Sequence, residues 1–388
     1  INIATDGESY GHHTKFGDMA LAYVLKIRAE DEGFVLTNYG EFLDNFRSDW
    51  EVDIKQASSW SCFHGVGRWK EDCGCSTGGH PGWNQKWRKP LREALDYLRD
   101  ELSIIFEKEG EKYFKEDPWT VRNKYIDVIL DRTERVIKHF QDEYFLPELS
   151  DEEKVCGMEL LEIQRQAMLM YTSCGWFFSE ISGIETTQIM KYAARAMQLA
   201  ENYTNKDLES KFLDILSNAQ SNFKEYGNGK NIYERFVKPS IVTLKQIASL
   251  WAISSLYEDF DDEQDVYCYK ITRKSYKKVQ KSNMNFVVGH IEVLSKVTLK
   301  KSDLMFVLMQ YQGGDFHCAI KDFDSEAEYV KLQKELVRTF MLNPLTEIIR
   351  EIDEYFGSEY FTLKDIFIEE RRKILQTMLK GKLQIFAN

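Results

Sequence analysis

Apolar residues along this chain recur first at helical spacing and later at every second position, and the change of period divides it. Ile1 to Thr5 carries a short buried-strand signal, and "FGDMALAYVLKIRAED" (16–31) places Met19, Leu21, Ala22, Leu25 and Ile27 on one helical face. "EGFVLTNYGEFLDNF" reads as a short strand and then a helix with Asn38 near its start. Strand, helix, strand, helix suits a parallel α/β unit over 1–49, too short to close a barrel alone.

Residues 50–89 change character. They are dense in Trp, Gly, Cys and His, poor in aliphatics, and predict a long, partly extended, aromatic-rich loop region. From 90 to 257 the pattern is helical: six amphipathic segments without a fixed repeat, which predicts a bundle. The first has Pro90 in its opening turn, and another opens on Ser150 with Glu153 three places on, a capping box. The period falls to two over 258–324, in "VYCYKITR", "NFVVGHIEVLSKVTL", "DLMFVLMQYQ" and "DFHCAIKDF". That is a small antiparallel sheet, with Gly313-Gly314 turning the last hairpin. Helices close the chain over 325–388, with "LQIFAN" as a fraying tail and the acidic "YEDFDDEQD" (257–265) as a solvated linker.

Composition narrows the function. At 388 residues, with 43% hydrophobic and 29% charged, the chain has the make-up of a folded protein with a sizeable core. A formal net charge of −12 and no sustained basic stripe argue against nucleic acid. No apolar run reaches the roughly 18 residues of a membrane span. The first residues lack an initiator Met and the features of a signal peptide, so an upstream segment is expected. Seven cysteines, an odd number in a large chain, argue against a disulfide framework and for the reducing cytoplasm.

Candidate chemistry begins with "DGESYGHH". A strand persisting through residue 8 would face Asp6 and Glu8 the same way, with Cα atoms roughly 6.5–7 Å apart. Paired carboxylates suit acid/base work on a glycosidic bond, retention needing a separation of roughly 5–5.5 Å. The residues alone leave a second reading open, an acid-capped turn followed by two solvated histidines. Trp60, Trp69, Trp83 and Trp176 are candidate sugar-stacking planes, since an aromatic face covers the C–H face of a sugar ring; core filling is the alternative. Trp87 and Trp251 are assigned to packing. His64 and Arg68 are candidates for orienting a hydroxyl, Arg68 having also an ordinary surface ion-pair reading. Cys62, His64, Cys73, Cys75 and His80 invite a zinc reading, but C-x-H followed by C-x-C lacks the paired C-x-x-C knuckles, and no metal is expected. The loop reads instead as polar lining for a sugar pocket. Cys174 has no basic sequence neighbour to activate it and reads as a buried thiol.

"DGESYG" with His12 resembles the fourth conserved region of glycoside hydrolase family 57, which holds α-amylase-like enzymes, amylopullulanases, 4-α-glucanotransferases and glycogen-branching enzymes. The first Asp of that motif is the family's acid/base and maps onto Asp6; Glu8, Gly11 and His12 also match. His13 stands where the branching enzymes often have Trp. "YTSCGWFF" (171–178) resembles the fifth region, with Trp176 at the matching position and Gly175 where many members have an acid. From about residue 40 onward, "SSWSCFHGVGRWKEDCGC", "PGWNQKW" and "SCGWFFSEISGIETTQIMKYAARA" resemble an uncharacterised domain found C-terminal in a subset of family-57-like proteins.

The resemblance implies an α+β, mostly helical chain: the end of a (β/α)7-type barrel over 1–49, then the bundle, the small antiparallel β region and the C-terminal helices. It implies a retaining enzyme acting on α-glucan or a related oligosaccharide. Asp6 is then catalytic, and Glu8, His12, His13, Trp60, His64, Trp69 and Trp176 contact substrate. The nucleophile lies on a missing N-terminal barrel segment, and no cofactor is implied. The alternative is a non-catalytic carbohydrate-binding or interaction module.

Overall fold

The computed structural model describes residues 2, 4–78, 80–311 and 315–386, with side chains described up to 379. The chain is α+β and divides into two compact units, Ile1–Ser58 and Ser59–Asn388.

In the first unit a helix, Gly17–Tyr23, runs through a π-helical turn, Val24–Arg28, into Ala29–Asp31. A second helix, Tyr39–Asn45, is capped by Asn38, whose side-chain oxygen accepts from the Glu41 backbone N–H at 2.9 Å. Among the described residues this unit has no strand: the strand expected ahead of Asn38 does not form, and the one expected over Ile1 to Thr5 includes residues outside those described. A parallel strand exists only beside a neighbour that takes up its backbone hydrogen bonds, and the described residues of this unit provide none. Asp6 instead precedes a 3₁₀ turn, Gly7–Ser9, so the same-side placement of Asp6 and Glu8 along a strand does not hold. Met19, Tyr23, Ile27, Phe42 and Phe46 are all exposed, leaving the apolar side of both helices uncovered.

The second unit has three hydrophobic cores. The first is the bundle. Helix Ile184–Ala200 packs on Asp151–Leu169, which with Leu208–Leu216 packs on Arg88–Gly110. The predicted capping box is present, Ser150 and Glu153 each accepting from the other's backbone N–H. Trp87 and Trp176 are buried here, as are Phe106 and Phe212. One buried charge is fully partnered. Glu162 accepts from Tyr125 Oη at 2.6 Å, Arg132 Nη2 at 2.7 Å and Arg165 Nη1 at 3.1 Å.

The other two cores lie on opposite faces of a five-stranded antiparallel sheet in chain order: β1 Glu263–Val266, β2 Tyr269–Lys281, β3 Met284–Ser295, β4 Lys301–Gln310 and β5 Phe316–Asp322. Strand period two divides the side chains. Leu304, Phe306 and Leu308 of β4 join Val287, Ile291 and Val293 of β3 under helix Leu244–Ser254, with Trp251 in the same core. Met305, Val307 and Met309 join Phe286 and Val288 on the other face, under helices Glu326–Leu342 and Leu345–Phe356. A sheet covered on both faces reads as an unbroken apolar run, which explains "LMFVLM" at 304–309. Gly289 pairs with Phe306 across β3 and β4, and a Cβ on Gly289 would lie 2.4 Å from that ring. The ring occupies the room a side chain would need.

Two expectations about this unit need correction. Helix Leu244–Ser254 belongs to the sheet's core and not to the bundle. The acidic run at 257–265 is only partly a linker, because its end forms edge strand β1. Asp262 pairs with Arg273 at 2.6 Å, Glu263 with Lys270 at 2.7 Å and Asp265 with Lys296 at 2.9 Å, so the acids fit a basic edge. The hairpin turn at 313–314 lies outside the described residues, and the last helix, Ile368–Phe386, continues through most of the expected fraying tail.

Candidate functional site

The opening motif is a compact knot of backbone hydrogen bonds. The Asp6 carbonyl accepts from the Ser9 N–H at 3.0 Å, the Glu8 carbonyl from the His13 N–H at 2.9 Å, and the Thr14 carbonyl from the Gly11 N–H at 3.1 Å. The His12 and His13 rings meet edge to face at 4.8 Å. Asp6, Glu8, His12 and His13 are thus held within one short turn ahead of the first helix, and all four are exposed within this unit.

The tryptophans fare differently from one another. Trp176 is 1% exposed inside the bundle core, so it is a packing residue and offers no face to a sugar. Trp83 is already stacked, with His80 at 3.9 Å on one side and Phe223 edge-on at 4.9 Å. Trp69 lies against the bundle and donates Nε1–H to the Ser173 carbonyl at 3.1 Å, which fixes it as a strut. Trp60, 83% exposed, keeps a free face. Arg68 is buried and lies over the Phe177 ring at 4.4 Å, not at a surface ion pair. Cys174 is exposed, contrary to the buried thiol expected.

The structure gathers Cys62, His64, Cys73 and Cys75, whose ligand atoms all lie within 4.8 Å of one another. The Sγ atoms of Cys62 and Cys73 are 3.7 Å apart, those of Cys62 and Cys75 3.8 Å, and Cys75 Sγ lies 3.5 Å from His64 Nδ1. His80, the fifth residue of this group in sequence, is not among them; its ring is taken up by Trp83.

Local backbone geometry makes the gathering possible. In the two pairs, Cys62–His64 and Cys73–Cys75, the backbone N–H of the second residue acts on the thiol of the first and lowers it. Gly74, between the two cysteines of the second pair, sits at φ +82°, the left-handed region that glycine enters without penalty. Gly67 lies between the pairs, and a Cβ there would come within 3.0 Å of Cys73 Cβ and 3.3 Å of His64 Cβ. Its lack of a side chain lets the two arms close. Burial pushes the Cys62 thiol up, but the N–H groups of Arg68 and His64 and the Cys73 and Cys75 side chains outweigh it, and Cys62 falls to about 6. Cys73 is raised by its own burial and by the neighbouring Cys62 and Cys75.

The signal for this cluster in the sequence was two ligand pairs at i, i+2 flanking glycines. A search image of C-x-x-C knuckles passes over it.

The family model described as a domain of unknown function (DUF3536) matches residues 83–367, about three-quarters of the chain, and the chain belongs to that family. No curated protein and no solved structure matches the chain. The opening motif and the Cys/His cluster both lie before the matched span. Among the described residues no helix is long and apolar enough to cross a membrane.

Proposed function

We propose that the chain is the C-terminal portion of a retaining glycoside hydrolase or glucanotransferase acting on α-linked polysaccharide or oligosaccharide, with Asp6 as its acid/base. The observation that carries this reading is the tight turn that presents Asp6, Glu8 and His12 in the order of the family-57 motif. Membership of the DUF3536 family supports it through the resemblance of that stretch to the domain that follows family-57-like catalytic regions. The first unit's uncovered apolar helix faces suit a piece of a larger α/β barrel, whose strands would cover them and bring the nucleophile carboxylate.

In this mechanism the upstream carboxylate attacks the anomeric carbon while Asp6 gives its proton to the departing glycosidic oxygen. Asp6, now a carboxylate, then takes a proton from the water or sugar hydroxyl that cleaves the glycosyl-enzyme. A general acid must hold its proton at working pH, which calls for burial. Asp6 is exposed within its own unit, so the barrel segment and the bound sugar would have to supply that burial. Seven cysteines without a disulfide among them fit a cytoplasmic protein.

The test is Asp6→Asn in the protein with its upstream segment, assayed by chromatography of products from an α-glucan oligosaccharide. Turnover should fall by about 10²–10⁴-fold, and residues 1–388 alone should show none. Full turnover by Asp6→Asn contradicts the reading. An intact protein that binds the oligosaccharide without turnover would favour the non-catalytic binding module, for which exposed Trp60 is the natural contact.

A further inference from the structure

We propose that Cys62, His64, Cys73 and Cys75 hold one zinc ion in a closed tetrahedron, and that this ion braces the loop 59–86 against the helical bundle.

The distances fit a metal polyhedron and no covalent bond. Zn–S bonds of about 2.3 Å at tetrahedral angles give sulfur–sulfur edges of about 3.8 Å, and a Zn–N bond of about 2.0 Å gives nitrogen–sulfur edges of about 3.5 Å. Three of the six observed edges are 3.7, 3.8 and 3.5 Å, and all six lie within 4.8 Å. A disulfide would bring two sulfurs to about 2.05 Å. Three thiolates and one imidazole form a soft, mixed donor set that suits zinc over magnesium or calcium. Four protein ligands leave no open position for a substrate, which makes the site structural and not catalytic.

The surroundings point the same way. Zinc with three thiolates and a neutral imidazole carries a net single negative charge. Two buried cations stand beside the cluster: Arg68, and Arg88, whose guanidinium is fully buried. The Nε atom of each lacks a hydrogen-bond partner. Burying a cation is costly, and an anionic metal centre supplies a counter-charge. Arg88 also ties the loop down by donating to the Cys75 carbonyl at 3.2 Å and to the Phe177 and Phe178 carbonyls at 3.4 Å. Partners that fix the orientation of ligand-bearing backbone are usual around metal sites.

The loop also needs a brace. Of residues 59–78 and 80–86 only Cys62, Gly67, Arg68 and Gln85 are buried, far short of an apolar core. A metal supplies the cross-link that such a segment lacks, as in small metal-dependent domains.

The experiment is metal analysis of the purified chain after growth with added zinc, followed by cobalt exchange. One zinc per chain is expected, and the cobalt form should show intense tetrahedral d–d bands with thiolate-to-cobalt charge transfer. Cys73→Ser and Cys75→Ser should each lose the ion. Should they fail to fold, His64→Cys keeps the test: it should retain the ion while shifting the cobalt spectrum towards a four-sulfur site. His80→Ala should leave both stoichiometry and spectrum unchanged. Zinc at trace levels with no cobalt bands, a disulfide joining any two of the three cysteines in protein kept reduced, or loss of the ion in His80→Ala would each overturn the proposal.

Discussion

The loop 59–86 and the five-stranded sheet belong to the same unit and are ordered by opposite means. In the sheet, six consecutive residues of β4, Leu304 to Met309, are buried, alternating between two cores. Order there comes from apolar area removed from water, about 1.5–3 kcal/mol for each large side chain. In the loop the side chains near the centre are thiols, an imidazole and two guanidiniums, and its struts are single hydrogen bonds such as Trp69 Nε1 to Ser173. The lesson is that polar chemistry can replace a core over a short span, at the cost of depending on one ion. The first unit has neither device: its helix faces are apolar and uncovered.

The largest expected effect is the one that separates the two regions. Chelation of the purified chain should strip hydrogen-exchange protection from 59–86 while leaving β3 and β4 amides protected. Equal loss in both would mean that the loop and the sheet share one source of stability. Next comes Phe306→Ala, which should destabilise the sheet by about 3–5 kcal/mol in denaturant unfolding. Its bound zinc should be unchanged; loss of the ion would join the two regions. The smallest is Trp69→Phe, which keeps most of the ring contact but removes the bond to Ser173. It should cost about 0.5–1.5 kcal/mol, seen as faster exchange in the loop alone.

What could be read in the sequence followed the same divide. β4 and β3 announce themselves through β-branched and aromatic runs, and the helix at Asp151–Leu169 through Ser150 and Glu153, because burial and capping act on near neighbours. Edge strand β1 stayed hidden in an acidic run, since its partners Arg273, Lys270 and Lys296 come later in the chain. Trp176 and Trp60 are the same residue type in stretches of similar composition, yet one is buried and the other open; only tertiary packing separates them. The strand expected ahead of Asn38 does not form, for want of a neighbouring strand among the described residues of its unit. The Cys/His cluster was visible residue by residue but not as a group, because its closure depends on Gly67 and Gly74.

The central claim is that a metal stands in for a core at the Cys/His cluster. Zinc-edge X-ray absorption of the purified chain tests it most directly, because it reads the ligand shell itself. Three sulfurs at about 2.3 Å and one nitrogen at about 2.0 Å are the predicted result. A shell of oxygen and nitrogen alone, or of four sulfurs, would contradict it.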